Sequence, residues 1–180
     1  ALNQASVSSQ TIAKEVEHLI VRDDVGLGVE KANTLYHGVV AQGEYVFPLD
    51  DDDALMNTRV VAELKNHIML LSEHPPFVVV KARHPWGVIP EERYWGKGLP
   101  PYGAIGNSNV VVRKDVWETH KQNYAPVNQG DYLFAQSLFR DFPDAPWIDL
   151  VVASVPVVNH GRTFDDKFAI QYSVPKGTPT

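Results

Sequence analysis

In Tyr45-Val46-Phe47-Pro48-Leu49-Asp50-Asp51-Asp52-Asp53, five mostly apolar residues run directly into four carboxylates. Tyr, Val and Phe suit a pleated surface, and the run is too short for a helix, so it reads as a short buried strand. Pro48 has no N–H to donate and interrupts the ladder near its end. Carboxylates packed this closely raise one another's pKa values unless a cation neutralises them. A hard divalent ion, Mg²⁺ or Mn²⁺, held through one or two carboxylates and the phosphates of a substrate, would do so. A solvated acidic turn is the plain alternative. The metal reading is preferred because the strand aims its carboxylates at the crevice where open α/β sheets bind ligands.

Outward from this stretch, helical and strand patterns alternate. Before it, residues 17–21 (Glu-His-Leu-Ile-Val) read as a strand ending in Arg22-Asp23-Asp24. Gly26 and Gly28 follow, but Lys31 occupies the third position of a dinucleotide fingerprint and so rules that motif out. Residues 29–42 carry apolar side chains at helical spacing, with Gly43 placed to end the helix. After the acidic stretch, Val61, Leu64, Ile68 and Leu71 mark a helix over about 58–73, stopped by Pro75-Pro76. Residues 77–80 form a β-branched run typical of a strand buried on both faces. The order β-α-β-α-β predicts one α/β domain over 1–180, with a mostly parallel central sheet flanked by helices. Residues 83–107, rich in Trp, Tyr, Pro and Gly, predict a binding loop or lid. Further expected elements are a strand at 110–112, helices at 114–122 and 132–142, and a strand at 147–152. A weakly amphipathic helix is expected within 1–16, and the tail from 159 is polar.

Composition narrows the function. The net charge of −6 argues against a nucleic-acid partner, because a phosphate backbone selects basic surfaces. The chain has no cysteine, which excludes disulfides, thiolate catalysis and Cys-ligated zinc. No apolar run approaches a membrane span of ~20 residues, and no signal-peptide core precedes the first expected helix, so a cytoplasmic location is expected.

Three features together resemble the GT-A fold nucleotide-diphospho-sugar transferases, in particular the inverting family 2 glycosyltransferases. Residues 17–24 look like that family's second strand with its acidic end. Residues 43–53, Gly-Glu-Tyr-Val-Phe-Pro-Leu-Asp-Asp-Asp-Asp, look like the strand leading into its DxD motif. Gly130-Asp131-Tyr132 resembles the acidic opening of its catalytic helix. The order agrees over about residues 10–155. The resemblance implies a metal-dependent transfer of sugar from a nucleotide diphosphate donor to a saccharide or other hydroxyl acceptor. It implies that Asp23 or Asp24 touches the nucleoside and that Lys31 serves the diphosphate. Asp50 and Asp51 would lie near the ribose and diphosphate. Asp52 would be the main metal ligand, with Asp50 beside it and His160 as a late contact. Asp131 would be the general base.

The chain departs from the family pattern in three places. The family's first strand and its base-cradling loop are not found before the first expected helix, which is the pattern of a fragment, of a base held differently, or of lost donor binding. An open sheet edge at that place would favour a homo-oligomer. Gly130 stands where the family has a glutamate, and the usual helical asparagine is displaced, with Asn33 nearby. Trp86, Trp95 and Tyr102 are candidates for stacking on an acceptor sugar, against the plain alternative that they close the loop over the core. Two other readings compete: a catalytically inactive GT-A-like binding or assembly module, and a nucleotidyltransferase, for which no Gly-rich basic loop is visible.

Overall fold

The computed structural model describes residues 2–24, 26–50, 53–71 and 73–155. Asp51, Asp52 and His160 therefore lie outside the described residues, as does the tail from residue 156. The helices are α1 (Leu2–Ser8), α2 (Val29–Ala32), α3 (Val60–Met69), α4 (Lys114–His120) and α5 (Gly130–Asp141). The strands are β1 (Tyr45–Val46), β2 (Ala54–Leu55), β3 (Phe77–His84), β4 (Gly87–Ile89), β5 (Val110–Arg113) and β6 (Trp147–Ser154). They form one sheet in the order β1-β5-β3-β6-β2, with β4 hairpinned onto the end of β3.

β3 explains the layering. Its apolar run is continuous because both faces are covered. Phe77 and Val79 pack with Val116, Trp117, Phe134 and Leu138 of α4 and α5. Val78, Val80 and Ala82 pack on the other face with Val60, Leu64 and Ile68 of α3. Strand alternation thus sends successive valines into two cores, and the α/β architecture with helices on both faces is as expected.

The sheet is mixed rather than mostly parallel. Among the described residues only β3 and β6 pair in parallel; β1–β5, β3–β5, β3–β4 and β2–β6 are antiparallel. The cause lies in residues 85–109, which contain β4 and short 3₁₀ turns but no α-helix. Parallel neighbours need a helical crossover, whereas this loop returns the chain antiparallel beside β3. Two antiparallel steps make β1 run in the same direction as β3 and β6, so the C-terminal ends of these three strands share one edge.

Two local expectations change. Residues 17–21 join no ladder among the described residues, and Leu19, Ile20 and Val21 are 42, 51 and 39% exposed. Residues 29–42 make one α-turn and then a 3₁₀ helix, Asn33–Gly38, so the helix ends before Gly43. Tertiary packing sets this: Tyr36 stacks on Tyr124 at 4.8 Å, and Lys121 Nζ donates to the Val39 carbonyl at 2.6 Å.

Candidate functional site

The acidic loop follows β1, but the strand is shorter and less buried than the sequence pattern predicts: Tyr45 and Val46 alone join the ladder, at the end of the sheet order, and both are half-buried. Phe47 and Leu49 anchor its entry in the core shared with α3, and Leu55 anchors its exit. Neutral polar side chains hold the loop from two sides. From α1, Asn3 Nδ2 donates to the Asp50 carbonyl at 2.8 Å, and Ser6 Oγ accepts the Leu55 N–H at 3.1 Å. From the turn before β5, Asn107 Nδ2 donates to Asp50 Oδ1 at 2.9 Å, and Ser108 Oγ donates to Asp53 Oδ2 in a short contact. The Asp53 N–H closes the loop onto the Asp50 carbonyl at 3.1 Å.

Asp131 faces the same edge from the first turn of α5. It does not cap the helix: Gln129 holds the N-cap position, and Asp131 Oδ1 accepts the N–H of its neighbour Tyr132 at 2.7 Å. Burial, and then the Asp50 charge, push its pKa up to about 6 against the pull of the helix amides. The approach is close because residue 106 is glycine; a Cβ there would lie 3.1 Å from Asp131 Oδ2. Gly130 is equally constrained, since a Cβ would sit 2.6 Å from the Ala125 carbonyl and 3.0 Å from Asn33 Nδ2. A glutamate could not stand at Gly130 without moving this backbone. The Asn33 side chain lies beside the Gly130 backbone and so borders the site.

Tyr102 and Tyr124 complete the surroundings of Asp131. Tyr102 packs edge-on against Tyr132 at 5.6 Å, and burial and the Asp131 charge raise its pKa. Tyr124 is fully buried, stacks on Phe134 at 4.2 Å and donates its hydroxyl to Asn107 Oδ1 at 2.9 Å. Its pKa is raised well above the usual tyrosine value, first by burial, then by Tyr36, Asp131 and Asp50.

The other expected residues divide. Asp23 uses both carboxylate oxygens locally, accepting the N–H groups of Leu27 and Gly28 at 2.8 and 3.1 Å. Asp24 and Lys31 are exposed. Trp86 stacks on His84 at 4.9 Å and borders a pocket of about 190 Å³ with Ile89, Glu91 and Gly103, next along the chain from Tyr102. Burial lowers the His84 pKa to about 4. Trp95 instead packs on Trp147 at 4.9 Å, under the Lys81 ammonium at 4.5 Å, where it closes the core rather than joining Tyr102.

Asp50 carries the hard oxygens that Mg²⁺ or Mn²⁺ takes, whereas Asp53 is 1% exposed and turns Oδ2 to Ser108. Among the described residues no group of three or more His, Asp or Glu forms a metal site, so a complete ligand set would need residues outside them.

A second constellation lies away from this edge. His120 Nδ1 is 3.0 Å from Ser137 Oγ, and His120 Nε2 is 3.5 Å from Asp141 Oδ2. It resembles a nucleophile triad but does not work as one. Ser137 already donates its proton to the Phe134 carbonyl at 2.7 Å, so toward His120 it accepts. This is a helical serine satisfied within the core.

Sequence reasoning missed Asn107, Ser108, Asn109, Tyr124 and Asn3. A signal existed for three of them. Asn-Ser-Asn stands directly before a Val-Val-Val strand buried on both faces, and polar residues so placed need partners inside the protein. No protein-family model and no curated protein matches this chain. Among the described residues no helix is long and apolar enough to cross a membrane.

Proposed function

We propose that the chain is a metal-dependent glycosyltransferase of the GT-A kind, moving a sugar from a nucleotide diphosphate donor to an acceptor hydroxyl with inversion. The observation that carries this reading is the place of Asp131, half-buried and facing the acidic loop at the edge shared by β1, β3 and β6, where desolvation and the Asp50 charge push its pKa up to about 6. A general base works best with a pKa close to the working pH. Near neutral pH Asp131 is mostly ionised yet more basic than an ordinary aspartate. It would take the acceptor proton as the hydroxyl oxygen attacks the donor's anomeric carbon from the face opposite the leaving diphosphate. Tyr102, beside Asp131, and Trp86, at the adjoining pocket, are placed to bind the acceptor. A cation held by Asp52 with Asp50 would supply neutralisation of the charge developing on the leaving diphosphate. The three strands that run together, with helices on both faces, are compatible with a GT-A arrangement.

The test is titration calorimetry of UDP, GDP and dTDP with Mn²⁺ and with excess chelator. Affinity should fall sharply on chelation, and equal affinity in both conditions refutes the metal role. A second reading, an inactive GT-A-like assembly module, draws on the exposed Leu19-Ile20-Val21 stretch. It is favoured if none of the three nucleotides binds under either condition and the protein self-associates in light scattering.

A further inference from the structure

Asn107, Ser108 and Asn109 are consecutive, polar and buried, with exposures of 4, 6 and 1%. Polar side chains are tolerated inside only when hydrogen bonds replace water. Asn109 commits its amide to the framework: its Oδ1 accepts the Gly106 N–H at 3.0 Å, and its Nδ2 donates to the Val80 and Ile89 carbonyls at 3.2 and 3.0 Å. The turn is thereby fixed to β3 and β4, and its other two side chains reach the acidic loop from a rigid base.

The Asn107 amide has one orientation that satisfies both its partners. A carboxylate accepts, so the NH₂ must face Asp50 and the carbonyl must face the Tyr124 hydroxyl. Tyr124 is in turn held by stacking on Phe134 of α5, the helix that carries Asp131. A chain of contacts therefore joins α5, through Tyr124 and Asn107, to the flank of the acidic loop. The donor is neutral. An arginine or lysine at this place would add a positive charge beside Asp50, whereas an amide orients the carboxylate without adding one.

We infer that Asn107 is a positioning residue, holding the Asp50 carboxylate, and with it the bond from the Asp53 N–H to the Asp50 carbonyl, in the geometry that binds metal and nucleotide. This rests on the nucleotide-sugar reading of the same site. The alternative is a buried asparagine that merely satisfies its neighbours.

Two readouts separate the inference from that alternative and from failure of the reading beneath it. One is hydrogen exchange of the Asp53 amide, which donates to the Asp50 carbonyl and needs no ligand. The other is calorimetric binding of Mn²⁺ with whichever of UDP, GDP or dTDP the wild-type protein binds best. Asn107→Leu should speed Asp53 exchange about tenfold while Val79 and Val111 stay protected, and should weaken metal–nucleotide binding about tenfold. Asn107→Asp keeps the shape but sets a like charge against Asp50, and should act in the same direction. Tyr124→Phe leaves Asn107 in place without its orienting hydroxyl; it should give a smaller change of the same sign, and carries the test if the Asn107 variants do not fold. Unchanged Asp53 exchange in all folded variants overturns the inference. So does faster exchange with unaltered metal–nucleotide affinity. Faster exchange in the variants, with wild-type protein that binds no metal–nucleotide, overturns the nucleotide-sugar reading instead.

Discussion

Asp131→Asn separates chemistry from stability in one variant. The Asp131 pKa rises from 3.8 to about 6, first because the carboxylate is buried and second because Asp50 is near. A shift of roughly two units corresponds to about 3 kcal/mol of preference for the protonated form in the folded state. A raised carboxylate pKa means that the folded state binds more protons than the unfolded state between these values. Stability is therefore lost as pH rises through the window from 3.8 to about 6, and stays lost above it. Asparagine has no charge to bury and can still accept the Tyr132 N–H. The variant should be more stable than wild type at about pH 8, and the gap should narrow by about 2 kcal/mol at about pH 4.5. For a chain of this size that is roughly 4–8 °C in Tm. The assay is thermal melting of both proteins at the two pH values, read as the change in their difference, so that groups common to both cancel. Once a donor and acceptor are known, the same variant should lose transfer by about 10²–10⁴-fold. A Tm difference independent of pH would refute a carboxylate desolvated and set against the Asp50 charge.

Three other perturbations test the surroundings. Gly130→Ala places a Cβ 2.6 Å from the Ala125 carbonyl, so the backbone must shift, and a loss of about 1–3 kcal/mol is expected in denaturant melts. Trp95→Ala should lower stability by about 2 kcal/mol through lost packing on Trp147 and Lys81 while leaving nucleotide affinity unchanged by calorimetry, whereas Trp86→Ala should weaken acceptor binding with little effect on Tm. Glu15→Gln removes the exposed pair with Lys65, at 2.5 Å, and should change stability by less than about 1 kcal/mol, with the difference vanishing in high salt.

Much of the framework was legible because it follows from periodicity. The valine run of β3, the i, i+3/i+4 stripe of α3 and the strand at Tyr45 each report a local pattern that tertiary structure then satisfies. Strand direction was not legible. Parallel pairing was expected from the alternation of elements, but the return of the chain through residues 85–109 depends on where that loop docks. Residues 17–21 have β-forming side chains but no described neighbour to complete a ladder, and propensity without a partner makes no strand. The acidic stretch and Asp131 stood out because charge beside apolar sequence is conspicuous. The residues that hold them in place did not, because an asparagine's role is set by partners about half a hundred positions away, as with Asn107 and Asp50.

That separation bears on how the protein acquires its shape. The contacts that hold the acidic loop join residues 47, 49, 55 and 57 positions apart: Asn3–Asp50, Ser6–Leu55, Ser108–Asp53 and Asn107–Asp50. Closing such distant pairs costs chain entropy before any contact rewards it. Helix α3 and the β3–β4 hairpin can form from near neighbours, but the acidic loop must wait until α1 and the turn before β5 have both docked. The site should therefore be assembled late, with its contacts weakly formed in the folding transition state. Substitutions in the clamp, such as Asn3→Ala or Ser108→Ala, should accelerate unfolding in stopped-flow experiments and barely slow folding. The part of the molecule proposed to bind ligand would then be the last to arrive and the first to open.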